Sequence, residues 1–181
     1  SRPDRVQDPQ VRATILADAR AESERLYRLV EDLVVLGRVE RGRLEVEAEP
    51  FQLPRLLDRI VANEAADLPS ISISLEVDRD LPVVNGEPTY VEQILRNLLG
   101  NAAKYTPAGS HVVVSAAIDG DDVAIRVRDD GPGIPPASRE HLFDLFYRDP
   151  ASSRTVAGSG IGLFVCASLA IAMGGRIWVA E

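Results

Sequence analysis

The chain divides by its hydrophobic pattern into one long helix and a longer mixed segment. Between residues 8 and 40, Ile15, Ala19, Leu26, Leu29, Leu33 and Leu36 keep a three-and-four spacing, interrupted at Glu22. That period predicts an amphipathic helix with a coiled-coil or bundle seam. Glu24, Arg25, Arg28, Glu31 and Asp32 fall mostly off the seam. Such a face needs cover, either from a partner helix or from the chain's own globular part. Gly37 and Gly42 loosen the end, and Arg41-Gly42-Arg43 reads as a junction. Beyond it the pattern predicts a strand at 44–48 and a helix at about 53–65. Residues 71–77, Ile-Ser-Ile-Ser-Leu-Glu-Val, alternate with period two, as a half-buried strand does. A short strand is expected at Val83-Val84. Pro88 then opens a helix that runs to about Lys104. Residues 112–118 and 123–128, joined at Asp119-Gly120, predict a hairpin. A helix begins near Gly160, and 176–180 is expected to be a final strand. Strands and helices grouped without regular alternation indicate an α+β fold, a two-layer sandwich of mixed sheet on helices. The expected domains are 1–43 and 44–181.

Composition narrows this picture. A chain of 181 residues with 45% hydrophobic positions can bury a sizeable core. A formal net charge of -8 argues against a general nucleic-acid binder. The single cysteine, Cys166, excludes an internal disulfide and fits a reducing compartment. It lies in an apolar helical run, where a small core hydrophobe is the plainer reading. The longest apolar stretch, 161–173, is too short to span a bilayer. The chain starts in mid-pattern on polar residues and stops on Trp178-Val179-Ala180-Glu181, which reads as a piece of a longer protein.

Three motifs carry chemistry, and in this order they describe a nucleotide pocket that is not of the P-loop kind. In the first, Asn97-Leu-Leu-Gly-Asn101-Ala-Ala-Lys104-Tyr105, the polar side chains are four and three apart and share one helix face. Leu98, Leu99 and Ala102 then point to the core. An asparagine carbonyl is a hard oxygen ligand that suits Mg²⁺. The second, Asp129-Asp130-Gly131-Pro132-Gly133-Ile134, ends a strand on a carboxylate and then breaks it. A carboxylate there can accept a hydrogen bond from an exocyclic amine, and glycines let backbone approach a flat base. The third, Gly158-Ser159-Gly160-Ile161-Gly162-Leu163, leads into a helix whose first amides can face phosphate. Each alone has a plain reading: an exposed helix face, an acidic turn, a glycine turn.

The order and residues resemble the ATP-binding domain of sensor histidine kinases. This is the Bergerat fold, shared with DNA gyrase, the heat-shock chaperone ATPases and the mismatch-repair ATPases. The stretch Leu142-Phe143-Asp144-Leu145-Phe146-Tyr147-Arg148 is similar to that family's phenylalanine-containing box. The resemblance runs from about Leu44 to Glu181. Residues upstream resemble the helix that joins this domain to the phosphoacceptor helix, which favours a dimer-forming bundle helix for 1–43. By resemblance, Asn101 holds the metal, Lys104 contacts phosphate, and Asp129 rather than Asp130 takes the adenine amine. The implied nucleotide set is Asn97, Asn101, Lys104, Tyr105, Asp129, Gly131, Gly133, Ile134, Arg148, Gly158, Ser159, Gly160, Ile161, Gly162 and Leu163. The stretch between Tyr147 and Gly158, with Arg148 and Arg154, is a lid candidate. Glu87 stands where the family often has aspartate, Ile161 where it has leucine, and Met173 where it has histidine.

Asn97 discriminates between chemistries. The hydrolysing ATPases of this fold, and the serine kinases that oppose sigma factors, carry glutamate at that position, where it can serve as a base. An amide is a poor base, whereas a neutral histidine acceptor already has a ring lone pair. The residue therefore points to histidine phosphorylation, with Asn97 and Lys104 as catalytic residues. A serine or threonine kinase, a hydrolysing ATPase and a non-catalytic docking domain are the alternatives. Neither histidine, His111 or His141, is followed by an acidic residue as the family's phosphoacceptor is. The acceptor is therefore expected on a helix outside this chain, and the fragment is expected not to phosphorylate itself. The resemblance further implies a response regulator partner, a homodimeric parent and a cytoplasmic location. Contact of this fragment with nucleic acid or membrane is not expected.

Overall fold

A computed structural model describes residues 8–150 and 158–180. The chain separates into two compact units, Ser1–Arg43 and Leu44–Glu181. The first is the helix α1 (Pro9–Glu40), capped by Asp8, whose side chain accepts from the Gln10 N–H at 2.9 Å. Pro9 at its first position costs nothing, because an N–H there would have no helical partner. Of the expected seam, Ile15, Leu26 and Leu33 stay at least half exposed, whereas Leu36 is buried. Asp32, placed off the seam by its spacing, is buried as well.

The second unit is built from β1 (Glu49–Phe51), α2 (Leu53–Asp67), β2 (Ser72–Val77), β3 (Val84–Gly86), α3 (Pro88–Tyr105), β4 (His111–Asp119), β5 (Asp122–Asp129), α4 (Pro136–Arg139) and α5 (Gly162–Ala172). β2 pairs parallel to β4, and β4 pairs antiparallel to β5, so the main sheet is mixed. β1 and β3 form a separate antiparallel ribbon. The β4–β5 turn is two residues long and opens on Gly120 at φ +66°. Val112, Val114 and Ala116 project from one face of β4 and are buried with Leu53, Leu57 and Ile60 of α2 and Leu95, Leu99 and Ala102 of α3. That is the α+β sandwich: period-two residues of a sheet meet period-3.6 residues of two helices. α5 adds Val165, Cys166 and Leu169, all fully buried. Cys166 is a core residue whose thiol donates weakly to the Ile94 carbonyl at 3.8 Å. Gly174 at φ +79° ends α5, with Gly175 N–H bonded to the Ala170 carbonyl, a Schellman stop.

Two expected strands differ. Residues 44–48 alternate in polarity but belong to no ladder among the described residues; the ribbon strand begins at Glu49 instead. The Glu45 carbonyl accepts from the Tyr90 hydroxyl of α3 at 2.8 Å. Residues 176–180 are extended in sequence character but belong to no ladder among the described residues, and Arg176 stacks on Trp178 at 4.9 Å. A strand needs a neighbour to satisfy its backbone, and polarity alone does not supply one.

Candidate nucleotide site

α3 positions the first motif. Leu95, Leu99 and Ala102 bury one stripe, and Leu98 is only half-buried, which corrects the expected inward set. The opposite stripe carries Asn97 and Asn101, half-buried, and Lys104 and Tyr105, exposed. The Lys104 ammonium lies 5.0 Å from the Tyr105 ring centre, a cation–π contact. Glu87 precedes the helix without capping it; its carboxylate accepts from the Thr89 hydroxyl at 2.8 Å instead.

The other two motifs converge on the last turns of this helix. A Cβ on Gly131 would stand 2.5 Å from Asp129 Oδ1 and 3.1 Å from the Thr106 methyl group, so the second motif abuts the α3 C-terminus. Asp129 Oδ1 accepts from the Gly131 N–H at 2.8 Å, which fixes the exposed carboxylate at the strand end. Gly133 turns at φ +73°, and the Ile134 carbonyl accepts from Arg139 at 3.2 Å. On the third motif, a Cβ on Gly158 would stand 2.7 Å from Lys104 Nζ and 3.9 Å from Arg148 Nε. Two cations therefore meet the glycine loop at one point. Gly160 is confined twice over: φ is +72°, and a Cβ would lie 2.7 Å from the Phe146 carbonyl carbon. The Ser159 hydroxyl accepts from the Ile161 N–H at 3.3 Å. Ile161 is buried, so its side chain serves the core and only its backbone borders the loop. Gly162 and Leu163 open α5, where first-turn amides lack helical partners.

No group of three or more His, Cys, Asp or Glu side chains able to hold a metal occurs among the described residues. The donor set fits a magnesium ion carried in with phosphates: one amide oxygen, at Asn101, suffices when phosphate oxygens and waters fill the rest. A cleft of about 250 Å³ lies elsewhere, between α2 and α3. It contains Glu64, Asp67 and Glu92, with Arg96 bonded to Glu64 at 3.2 Å, so it would repel a polyphosphate.

The family described as "Histidine kinase-, DNA gyrase B-, and HSP90-like ATPase" matches residues 86–181. The mycobacterial sensor histidine kinase MprB is 30% identical in sequence, with 70% of this chain and 80% of that one aligned at a TM-score of 0.59. The chain belongs to the sensor histidine kinases of this ATPase family. The probable sensor histidine kinase TcrY of Mycobacterium tuberculosis is 32% identical to this kinase fragment over 175 residues, 96% of the chain but 37% of TcrY. ShkA, solved full-length in complex with AMPPNP, aligns with 93% of the fragment and 35% of its own chain, at 30% identity and a TM-score of 0.75. The fragment therefore spans little more than a third of these longer relatives. Its matched region is an ATP-binding domain.

In this kinase domain the structure adds groups that spacing did not single out. Ser138 in α4 is buried and donates its hydroxyl to Asp149 Oδ1 at 2.8 Å. Phe146 holds φ +64°, the one positive value on a non-glycine residue among the described residues, and its N–H donates to the Gly160 carbonyl at 2.9 Å. The only signal for the first was a polar pair flanking the phenylalanine box; the second had none. His141 Nδ1 lies 2.8 Å from Asp144 Oδ2, and its ring meets Tyr147 at 5.7 Å. Of the lid candidate, 151–157, Arg154 included, lies outside the described residues. No helix among the described residues is long and apolar enough to cross a membrane.

Proposed function

We propose that this chain binds Mg-ATP at the C-terminal half of α3 and transfers the γ-phosphoryl group to a histidine on a separate helix. The observation that carries the reading is the double junction at α3: Gly131 against Thr106 on one side, and Lys104 with Arg148 against Gly158 on the other. A strand-end carboxylate and a cationic glycine loop thus flank one helix, matching the two ends of a nucleotide. Asp129 accepts the adenine amine, and its tie to the Gly131 N–H pre-organises it. Lys104 and Arg148 neutralise phosphate charge, and the backbone of 158–163 supplies N–H donors. Asn101 would hold Mg²⁺ through its amide oxygen. When bound, the ion would offset the negative charge of the phosphates during transfer. Asn97, an amide one turn earlier, orients rather than abstracts a proton, which suits a ring nitrogen acceptor and not water or a serine hydroxyl.

In the parent protein the phosphohistidine passes its group to an aspartate of a response regulator. The unit 1–43 contributes the second helix of a dimerising bundle, a reading supported by the half-exposed Ile15, Leu26 and Leu33. A need for cellular ATP puts this domain on the cytoplasmic side. The test is calorimetric titration of ATP, with and without Mg²⁺, against the chain and an Asp129→Asn variant. With one oxygen of residue 129 held by the Gly131 N–H, asparagine has no second acceptor for the amine, and loss of that bond to a charged acceptor weakens binding by about 10- to 100-fold. Absence of saturable binding to the folded, unmodified chain overturns the reading.

A further inference from the structure

Arg148 sits between two anchors: backbone hydrogen bonds upstream, and downstream a part-buried side-chain hydrogen bond with no role in the nucleotide set. Upstream, the Tyr147 N–H donates to the Asp144 carbonyl at 3.2 Å and the Phe146 N–H to the Gly160 carbonyl at 2.9 Å. Downstream, Asp149 Oδ1 accepts the Ser138 hydroxyl at 2.8 Å. Ser138 is 4% exposed, so its hydroxyl must find its partner within the protein. An ionised carboxylate is the strongest neutral-donor acceptor available to it. Ser138 is itself fixed: its N–H donates to the Pro135 carbonyl at 2.9 Å, within a turn started by Pro135 and Pro136. That turn begins one residue beyond Gly131-Pro132-Gly133, the proposed adenine-side segment.

The geometry points to Ser138 and Asp149 as a positioning pair for Arg148. A long arginine side chain loses much rotamer freedom when it grips phosphate. Anchoring the backbone before it and the Asp149 side chain after it lowers the part of that cost that falls on the segment. The pair also ties the segment beyond the adenine turn to the residue that meets the glycine loop beside Lys104. This inference rests on the proposed phosphate role of Arg148.

The experiment is a double-mutant cycle read by calorimetric Mg-ATP affinity, using Ser138→Ala, Asp149→Ala, Asp149→Asn and Arg148→Ala, with thermal melts of each variant. Ser138→Ala and Asp149→Ala are each expected to weaken Mg-ATP by about three- to tenfold, the range of one hydrogen bond. Asp149→Asn keeps an acceptor oxygen and is expected to retain near-parental affinity. In the Arg148→Ala background, Ser138→Ala and Asp149→Ala are expected to add nothing further. Unchanged affinity in both alanine variants overturns the pair's role, as do losses that add fully to that of Arg148→Ala. Asp149→Ala, on a half-buried residue, keeps the test open where Ser138→Ala lowers the melt. A parent chain that fails to bind Mg-ATP overturns the functional reading itself and this inference with it, a result distinct from binding that ignores the pair.

Discussion

Two glycines of the loop before α5 separate folding from the proposed binding at the scale of a single residue. A Cβ on Gly160 meets backbone atoms of Phe146 at 2.7 and 2.9 Å, and backbone cannot rotate aside. Its φ of +72° adds a left-handed strain of about 1–3 kcal/mol for any other residue. Gly160→Ala is therefore expected to lower Tm by roughly 3–10 °C and to weaken Mg-ATP with it. A Cβ on Gly158 meets Lys104 Nζ, the far end of a flexible side chain. Gly158→Ala is expected to leave Tm within about 2 °C, as a surface change does, while displacing the ammonium and reducing Mg-ATP affinity. Thermal melts and titrations of the two variants check the split; equal melts would sink it. The glycine spacing was legible in the sequence as a tight loop leading into a helix. The reason for Gly160 was not, because the group it accommodates is fourteen positions earlier in the chain, and only folding brings Phe146 there.

At the scale of elements, α3 shows why some parts of the fold could be read and others could not. Its start at Pro88, its core stripe and its polar stripe are all encoded locally with a period of 3.6. Leu99 is fully buried on that stripe, two residues from Asn101. Leu99→Ala is expected to cost about 2–5 kcal/mol, measured by denaturant unfolding. Because the same helix presents Asn97, Asn101 and Lys104, residual folded protein is expected to bind Mg-ATP more weakly as well; a loss of stability below 1 kcal/mol would contradict full burial. Strands fared less well. Leu44, Val46 and Ala48 alternate with glutamates, yet β1 forms at 49–51, because Val84–Gly86 is where a pairing partner lies. Residues 176–180 have strand composition and no ladder among the described residues. β structure depends on a distant neighbour, and its position cannot be read from one segment.

At the scale of the whole chain, the proposed transfer needs a histidine acceptor, and neither histidine of this chain is placed to be one. The chain has two histidines. Both ring nitrogens of His111 are occupied: Nδ1 lies 2.9 Å from the Ser72 hydroxyl and Nε2 2.9 Å from the Ser74 hydroxyl, across the β2–β4 ladder. His111 lies at the start of a strand whose register is fixed by six consecutive pairs with β2, from Ser72↔His111 to Val77↔Ala116. A ring held there by two hydroxyls has no lone pair aimed at a γ-phosphate. His141 binds the Asp144 carboxylate through Nδ1 and packs against Tyr147, in the turn that leads to Arg148. In-line transfer needs a ring nitrogen opposite the leaving oxygen at close range, and His141 would have to give up its contacts with Asp144 and Tyr147 to present one. Incubation of this chain with γ-labelled ATP and Mg²⁺ is therefore expected to leave no acid-labile phosphate on it, by intact mass and by gel. Adding a peptide or domain that carries a helix with an exposed histidine next to a carboxylate is expected to move the label to that partner. Label on His111 or His141 would mean that these hydrogen bonds open readily, and it would remove the ground for placing the acceptor on a separate helix.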